Sequence, residues 1–92
     1  MEEQGPYVLA LSPHFERVLK SLKRKNPTVL RELENHIAKI LREPTLGKPL
    51  RHALRNYRRV HVGGSFVLLY EIATKEVRLL DFDHHDRIYK KH

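Results

Sequence analysis

No cysteine occurs in this chain of 92 residues. A disulfide frame, a thiol nucleophile and a thiolate metal site are therefore excluded. Long apolar runs are missing as well, and none approaches the ~20 residues that a helical membrane span needs. The opening Met1-Glu2-Glu3-Gln4-Gly5-Pro6 is acidic, without the basic and apolar regions of a secretory signal. A cytoplasmic protein is the expectation. Low-complexity segments and internal repeats are absent too. With 40% apolar and 32% charged residues the composition is globular. One domain over residues 1–92 follows, with a core thin enough for a partner to matter.

Acidic residues are also scarce where they would count. The formal charge is +7, and no Asp or Glu occurs from Leu46 to Ser65. Lys48, Arg51, Arg55, Arg58 and Arg59 all fall in that stretch, with His52 and His61. A polyanion would feel such a segment strongly, and nucleic acid is the commonest one in cytoplasm. A solvated basic face or an acidic protein partner remains an alternative.

What is present reads as α+β. Tyr7–Leu11 has strand character. Ser12-Pro13 opens a helix with a hydroxyl cap and proline in the first turn. Phe15, Val18, Leu19 and Leu22 recur along it at helical spacing, and Lys23-Arg24-Lys25 suits its C-terminal dipole. Asn26-Pro27 repeats the cap signal before the stripe Leu30, Leu33, Ile37, Ile40 and Leu41, which Pro44 ends. Thr45–Pro49 is a turn-rich connector. Tyr57–Val62 alternates, with Tyr57, Arg59 and His61 on one face. Gly63-Gly64-Ser65 marks a hairpin into the apolar strand Phe66–Ala73, and Thr74-Lys75 turns that strand into Glu76–Phe82. From His84 onward a loop or one helical turn is expected. The predicted order is β-α-α-β-β-β, a helical hairpin on one face of a small, mainly antiparallel sheet.

Two segments carry histidine at strand positions: Tyr57-Arg58-Arg59-Val60-His61-Val62, and Asp83-His84-His85-Asp86-Arg87-Ile88-Tyr89 at a strand end. Histidine is the side chain best placed to move protons near neutral pH. His84 and His85 with Asp81, Asp83 and Asp86 could instead form a metal site. Against that, adjacent residues rarely ligate one ion, and the chain has neither an H-E-x-x-H motif nor a histidine pair four apart. Tyr70 and Phe82 are assigned to the core. His14, His36 and His92 are read as solvated, and Lys90-Lys91 as a solvated tail or phosphate contact.

The order of elements, Pro49-Leu50 before a basic stretch, Tyr57-Arg58 entering a strand, the Val62-Gly63 turn, Leu69-Tyr70-Glu71-Ile72 and the final Tyr89 together resemble the RelE/ParE toxin superfamily. The likeness runs from Tyr7 to Tyr89 and is closest to the RelE-like and YafQ-like branches. It implies a toxin of a type II toxin–antitoxin module that cleaves mRNA on the ribosome without a metal or other cofactor. His61 takes the place of a YafQ-like strand histidine. Arg59 and His61 fall where RelE-like toxins carry two lysines. His85, four residues before Tyr89, matches a second YafQ-like histidine, and Tyr89 matches a RelE-like tyrosine. The pattern departs at Val67, where RelE-like toxins have arginine. It also departs at Ser65 and Lys48, where YafQ-like toxins have an acidic residue and a histidine.

Cleavage of RNA by its own 2′-hydroxyl needs a base, an acid and cations for the charge that builds on the phosphorus oxygens. The resemblance assigns His61, His85, Arg59 and Tyr89 to catalysis. Lys48, Arg51, Arg55 and Arg58 are the candidate RNA and phosphate contacts. The implied partners are an antitoxin, in a hetero-oligomer, and the ribosome with its mRNA. Two other functions stay open: a ParE-like gyrase-binding toxin, and a weakly active member retained as a protein-binding partner.

Overall fold

The computed structural model describes residues 7–51 and 56–92. Its elements run β1 (Val8–Leu11), α1 (Pro13–Lys25), α2 (Pro27–Arg42), a 3-10 turn (Pro44–Leu46), β2 (Lys48–Pro49), β3 (Tyr57–Val62), β4 (Phe66–Ala73), β5 (Glu76–His84) and α3 (His85–Lys91). The predicted order is present, with two additions. The connector holds a two-residue strand, β2, and the chain after His84 forms a helix of 7 residues rather than a loop or one turn. β5 also continues past Phe82 to His84.

The helical hairpin is written in its caps. Ser12 Oγ accepts from the Phe15 amide at 3.0 Å, and Asn26 Oδ1 accepts from the Val29 amide at 3.3 Å. Each cap precedes a proline whose missing N–H costs nothing in the first turn. Asn26 also donates its own amide to Leu22 O at 2.8 Å. One residue thus closes α1 and opens α2, and the turn between them can be no shorter.

The sheet order is β1-β5-β4-β3-β2. β1 lies parallel to β5, and the remaining pairs are antiparallel. Gly63 and Gly64 take φ of 63° and 81° in the β3–β4 turn, a left-handed conformation that glycine adopts without strain. β4 is central and covered on both faces, which is why its sequence is apolar from Phe66 to Tyr70. Leu68 and Tyr70 join Phe15, Leu33 and Ile40 beneath the helical hairpin. Val67 and Leu69, on the opposite face, join Ile88 of α3. A register shift lies between Leu69 and Tyr70, which pair with Asp81 and Leu79 and leave Leu80 as the extra residue. Seven residues are too few to hold a helix by propensity alone. Burial of Ile88, worth roughly 2 kcal/mol, therefore decides whether α3 stays on the sheet.

Candidate active site

Placement of the basic strand begins in the core. The buried Tyr70 hydroxyl donates to Pro44 O at 2.6 Å and accepts from the Gly47 amide at 2.8 Å. Burial raises the Tyr70 pKa above its ordinary value, against the opposing effects of the Gly47 amide and Arg58. Gly47 comes so close that an added Cβ would lie 2.8 Å from Arg59 O. Arg58, on the helical face of β3, donates from Nη1 to Gly47 O at 2.6 Å. The connector is thereby tied down, and Lys48 lands opposite Arg59 in the β2–β3 register. Arg58 serves this loop and stands apart from Arg59 and His61.

On the other face, Arg59 Nη1 donates to Tyr89 Oη at 3.0 Å, joining β3 to α3. A second tie runs from the His85 amide to Ser65 O in the β3–β4 turn, at 2.9 Å. The two ties fix α3 in direction as well as in place. His61 lies two strand residues beyond Arg59, ~7 Å towards the turn. His85 lies four helical residues before Tyr89, ~6 Å in the same sense. Both histidines are exposed, and each lies on the side of the Arg59–Tyr89 bond nearer the β3–β4 turn.

His84 does not point away from its neighbour, as adjacency in an extended strand would suggest. Its ring stacks on His85, with centroids 4.6 Å apart, because α3 begins between the two residues. His84 Nδ1 accepts from the Asp86 amide at 3.3 Å and so caps α3. Potential ligand atoms of His84, His85 and Asp86 lie within 4.8 Å of one another. The Asp86 carboxylate already sits 3.1 Å from His85 Nδ1 and 3.5 Å from His84 Nδ1. With His84 Nδ1 accepting from the amide, only His85 Nδ1 can donate to that carboxylate.

The far end of α3 is held through Asp81, which is only 2% exposed. Its carboxylate receives His14 at 2.9 Å, Lys91 at 2.8 Å, His92 at 3.0 Å and the Phe82 amide at 2.8 Å. Burial alone would raise the Asp81 pKa. Lys91, His14, His92 and that amide outweigh burial and hold it well below the usual carboxylate range. Lys91 also reaches Asp83 at 3.1 Å, and Arg87 reaches Asp83 at the same distance. His14, His92 and Lys91, read from sequence as solvated, are thus partners of buried or half-buried carboxylates.

Arg59, His61, Lys48, His85 and Tyr89 are therefore grouped around β3 and α3. Arg51 is exposed beyond β2, and Arg55 lies outside the described residues. Val67, where the resemblance expects arginine, is fully buried against Ile88, so an arginine there would displace α3. Lys39 was not singled out in the sequence, and His36 was read there as solvated. His36 and Lys39 of α2 line a cavity of about 390 Å³ together with Lys48, Arg59 and His61. They border the stripe Leu33–Ile37–Ile40 on the side that turns towards the sheet. A histidine and a lysine three apart on such a border were the available signal.

The comparisons with known proteins agree with this architecture. Residues 9–89 match the model of a family described as the ParE toxin of the type II toxin–antitoxin system parDE. A Methanocaldococcus jannaschii protein named "Putative toxin RelE4" is 36% identical over 87 residues, which cover 92% of this chain and 93% of that protein. Among solved structures, the RelBE2 toxin–antitoxin complex of Mycobacterium tuberculosis includes a chain that is 30% identical, with a TM-score of 0.72, covering 87% of this chain and 99% of that one. YafQ of E. coli shares the fold at 20% identity and a TM-score of 0.70, covering 90% of this chain and 98% of its own. The chain belongs to the ParE toxin family and is a type II toxin of the RelE/ParE superfamily.

Proposed function

We propose that this toxin is a ribosome-dependent mRNA endonuclease. The observation that carries the reading is the Arg59–Tyr89 bond, which ties β3 to α3, the two elements that carry His61 and His85, beside a cation. One imidazole takes the proton of the 2′-hydroxyl as that oxygen bonds to phosphorus. The other protonates the 5′-oxygen as the P–O5′ bond breaks. Arg59 and Lys48 stabilise the charge on the non-bridging oxygens, and Tyr89 orients the phosphate or stacks on a base. The products are a 2′,3′-cyclic phosphate and a 5′-hydroxyl.

Residues 1–92 act as one toxin domain in the cytoplasm, where ribosomes and mRNA are. An antitoxin covers the basic face in a hetero-oligomer. The RelBE2 neighbour, whose printed name is that of a toxin–antitoxin complex, supports such a partner. The test is incubation of purified protein with ribosomes programmed with a defined mRNA, followed by analysis of the ends produced. Cuts bearing cyclic phosphate and 5′-hydroxyl are expected, and intact message would refute the reading. The ParE description of the family favours a second reading, gyrase binding without nuclease chemistry. Inhibition of DNA supercoiling with the message intact would select it.

A further inference from the structure

The cavity at the edge of β3 includes residues that the cleft chemistry does not use: His36, Lys39, Leu46 and Val60. β2 pairs with Arg58 and Arg59, so among the described residues β3 beyond Arg59 has no strand on its outer side. α2 borders the gap that remains, and His36 and Lys39 supply its outer wall. Three cationic side chains line the space, Lys39, Lys48 and Arg59, and no acidic one does. Leu46 and Val60 give it an apolar floor. His36 Nδ1 lies 2.8 Å from Glu32 O, a carbonyl that can only accept. Nδ1 is therefore the donor, and Nε2 is left available for a ligand.

A volume of about 390 Å³ lies at the low end of small-ligand sites and suits a single nucleotide rather than a duplex. The mixture of cations over an apolar floor is that of a single-stranded nucleic-acid groove, where phosphate is held by charge and base or sugar by contact. Arg59 and His61 line this cavity and also belong to the cleft, so the two spaces share a wall.

We propose that this edge cavity is a second RNA subsite, which seats the nucleotide next to the scissile phosphate. Lys39 holds its phosphate, Leu46 and Val60 carry its sugar or base, and His36 Nε2 meets a polar edge. The proposal rests on the endonuclease reading for its place in catalysis, but not for its affinity for RNA.

Lys39 is exposed on α2, so Lys39→Gln leaves the core untouched; Lys20→Gln, on exposed α1, is the control. Two readouts separate the claims: binding of a short 2′-O-methyl single-stranded RNA by anisotropy over a salt series, and kcat and KM on ribosome-bound mRNA. Lys39→Gln is expected to weaken RNA binding about tenfold and to reduce the salt slope by about 0.7, the share of one phosphate on a single strand. KM should rise by a similar factor with kcat unchanged. His36→Gln should raise KM by a smaller factor and leave the salt slope alone. A Lys39→Gln protein that matches Lys20→Gln in both readouts overturns the subsite, as does wild-type protein that neither binds the RNA nor cleaves. Lys39-dependent binding without any cleavage supports the subsite and removes the endonuclease reading. Cleavage indifferent to Lys39 does the reverse.

Discussion

Tyr89 and Tyr70 both spend a hydroxyl on a distant partner, with opposite consequences. Tyr89 is 40% exposed, and its bond to Arg59 lies at the surface. Tyr89→Phe should leave the thermal midpoint unchanged. Loss of a hydrogen bond to a charged group, about 1.5 kcal/mol, should slow cleavage about tenfold by loosening the alignment of β3 with α3. Thermal melting and single-turnover rates on ribosomes check both halves. Tyr70→Phe reverses the pattern: it orphans the buried Pro44 carbonyl and Gly47 amide and should cost about 1–3 kcal/mol in a urea titration. Tyr70 was legible as core from the apolar run of Phe66–Ala73. The task of its hydroxyl was not, because its partners lie 26 and 23 residues away. Arg58 was misleading for the same reason. Sequence gives its charge and its face, but not the carbonyls of Thr45 and Gly47 that occupy it.

At the scale of elements, the parts that local chemistry specifies were readable and the part that tertiary contact specifies was not. Caps at Ser12 and Asn26, the Gly63-Gly64 turn and the alternation of β3 all announce themselves over a few residues. α3 offers a single buried residue, Ile88, and is held by the Ser65 carbonyl at one end and by Asp81 at the other. Ile88→Ala should destabilise the chain by about 2–4 kcal/mol. Hydrogen exchange should quicken first at the amides of His85–Lys91, while β4 and β5 stay protected. Asp81→Ala, which leaves Lys91, His14 and His92 without their shared acceptor, should cost about 2 kcal/mol. That is less than the ~3–5 typical of fully buried pairs, because the Lys91 side chain is 42% exposed. If α3 exchanged no faster in either variant, the account of its anchoring would be wrong.

For the whole molecule, the carboxylates at one end and Tyr70 at the other set the pH range of stability. Burial raises the Asp81 and Asp83 pKa values, but their hydrogen bonds, chiefly Lys91 for Asp81 and the His84 amide for Asp83, lower them further. Their contribution is complete above about pH 5 and is lost as pH falls through the folded values. Tyr70 is raised by burial, and Lys91 is raised by Asp81 and Asp83 despite its own burial. Their contribution is complete below about pH 9 and is lost as pH rises. Urea midpoints should therefore form a plateau between those limits, and Asp81→Asn should flatten the acid flank. A midpoint that kept rising below pH 4 would contradict this.

The charge of +7 and the acid-free stretch from Leu46 to Ser65 pointed to a basic face. They did not show that α2 contributes to it, since His36 and Lys39 reach Arg59 only through the fold. The cleft itself makes the most direct demand. Cleavage of ribosome-bound mRNA should be measured across pH for the wild-type chain, His61→Ala, His85→Ala and the double variant. The wild-type profile should be bell-shaped, each single variant should lose about 10²–10⁴ in kcat, and the double variant should be little worse than the poorer single one. A folded His61→Ala or His85→Ala protein that cuts at the wild-type rate would contradict the paired-histidine cleft.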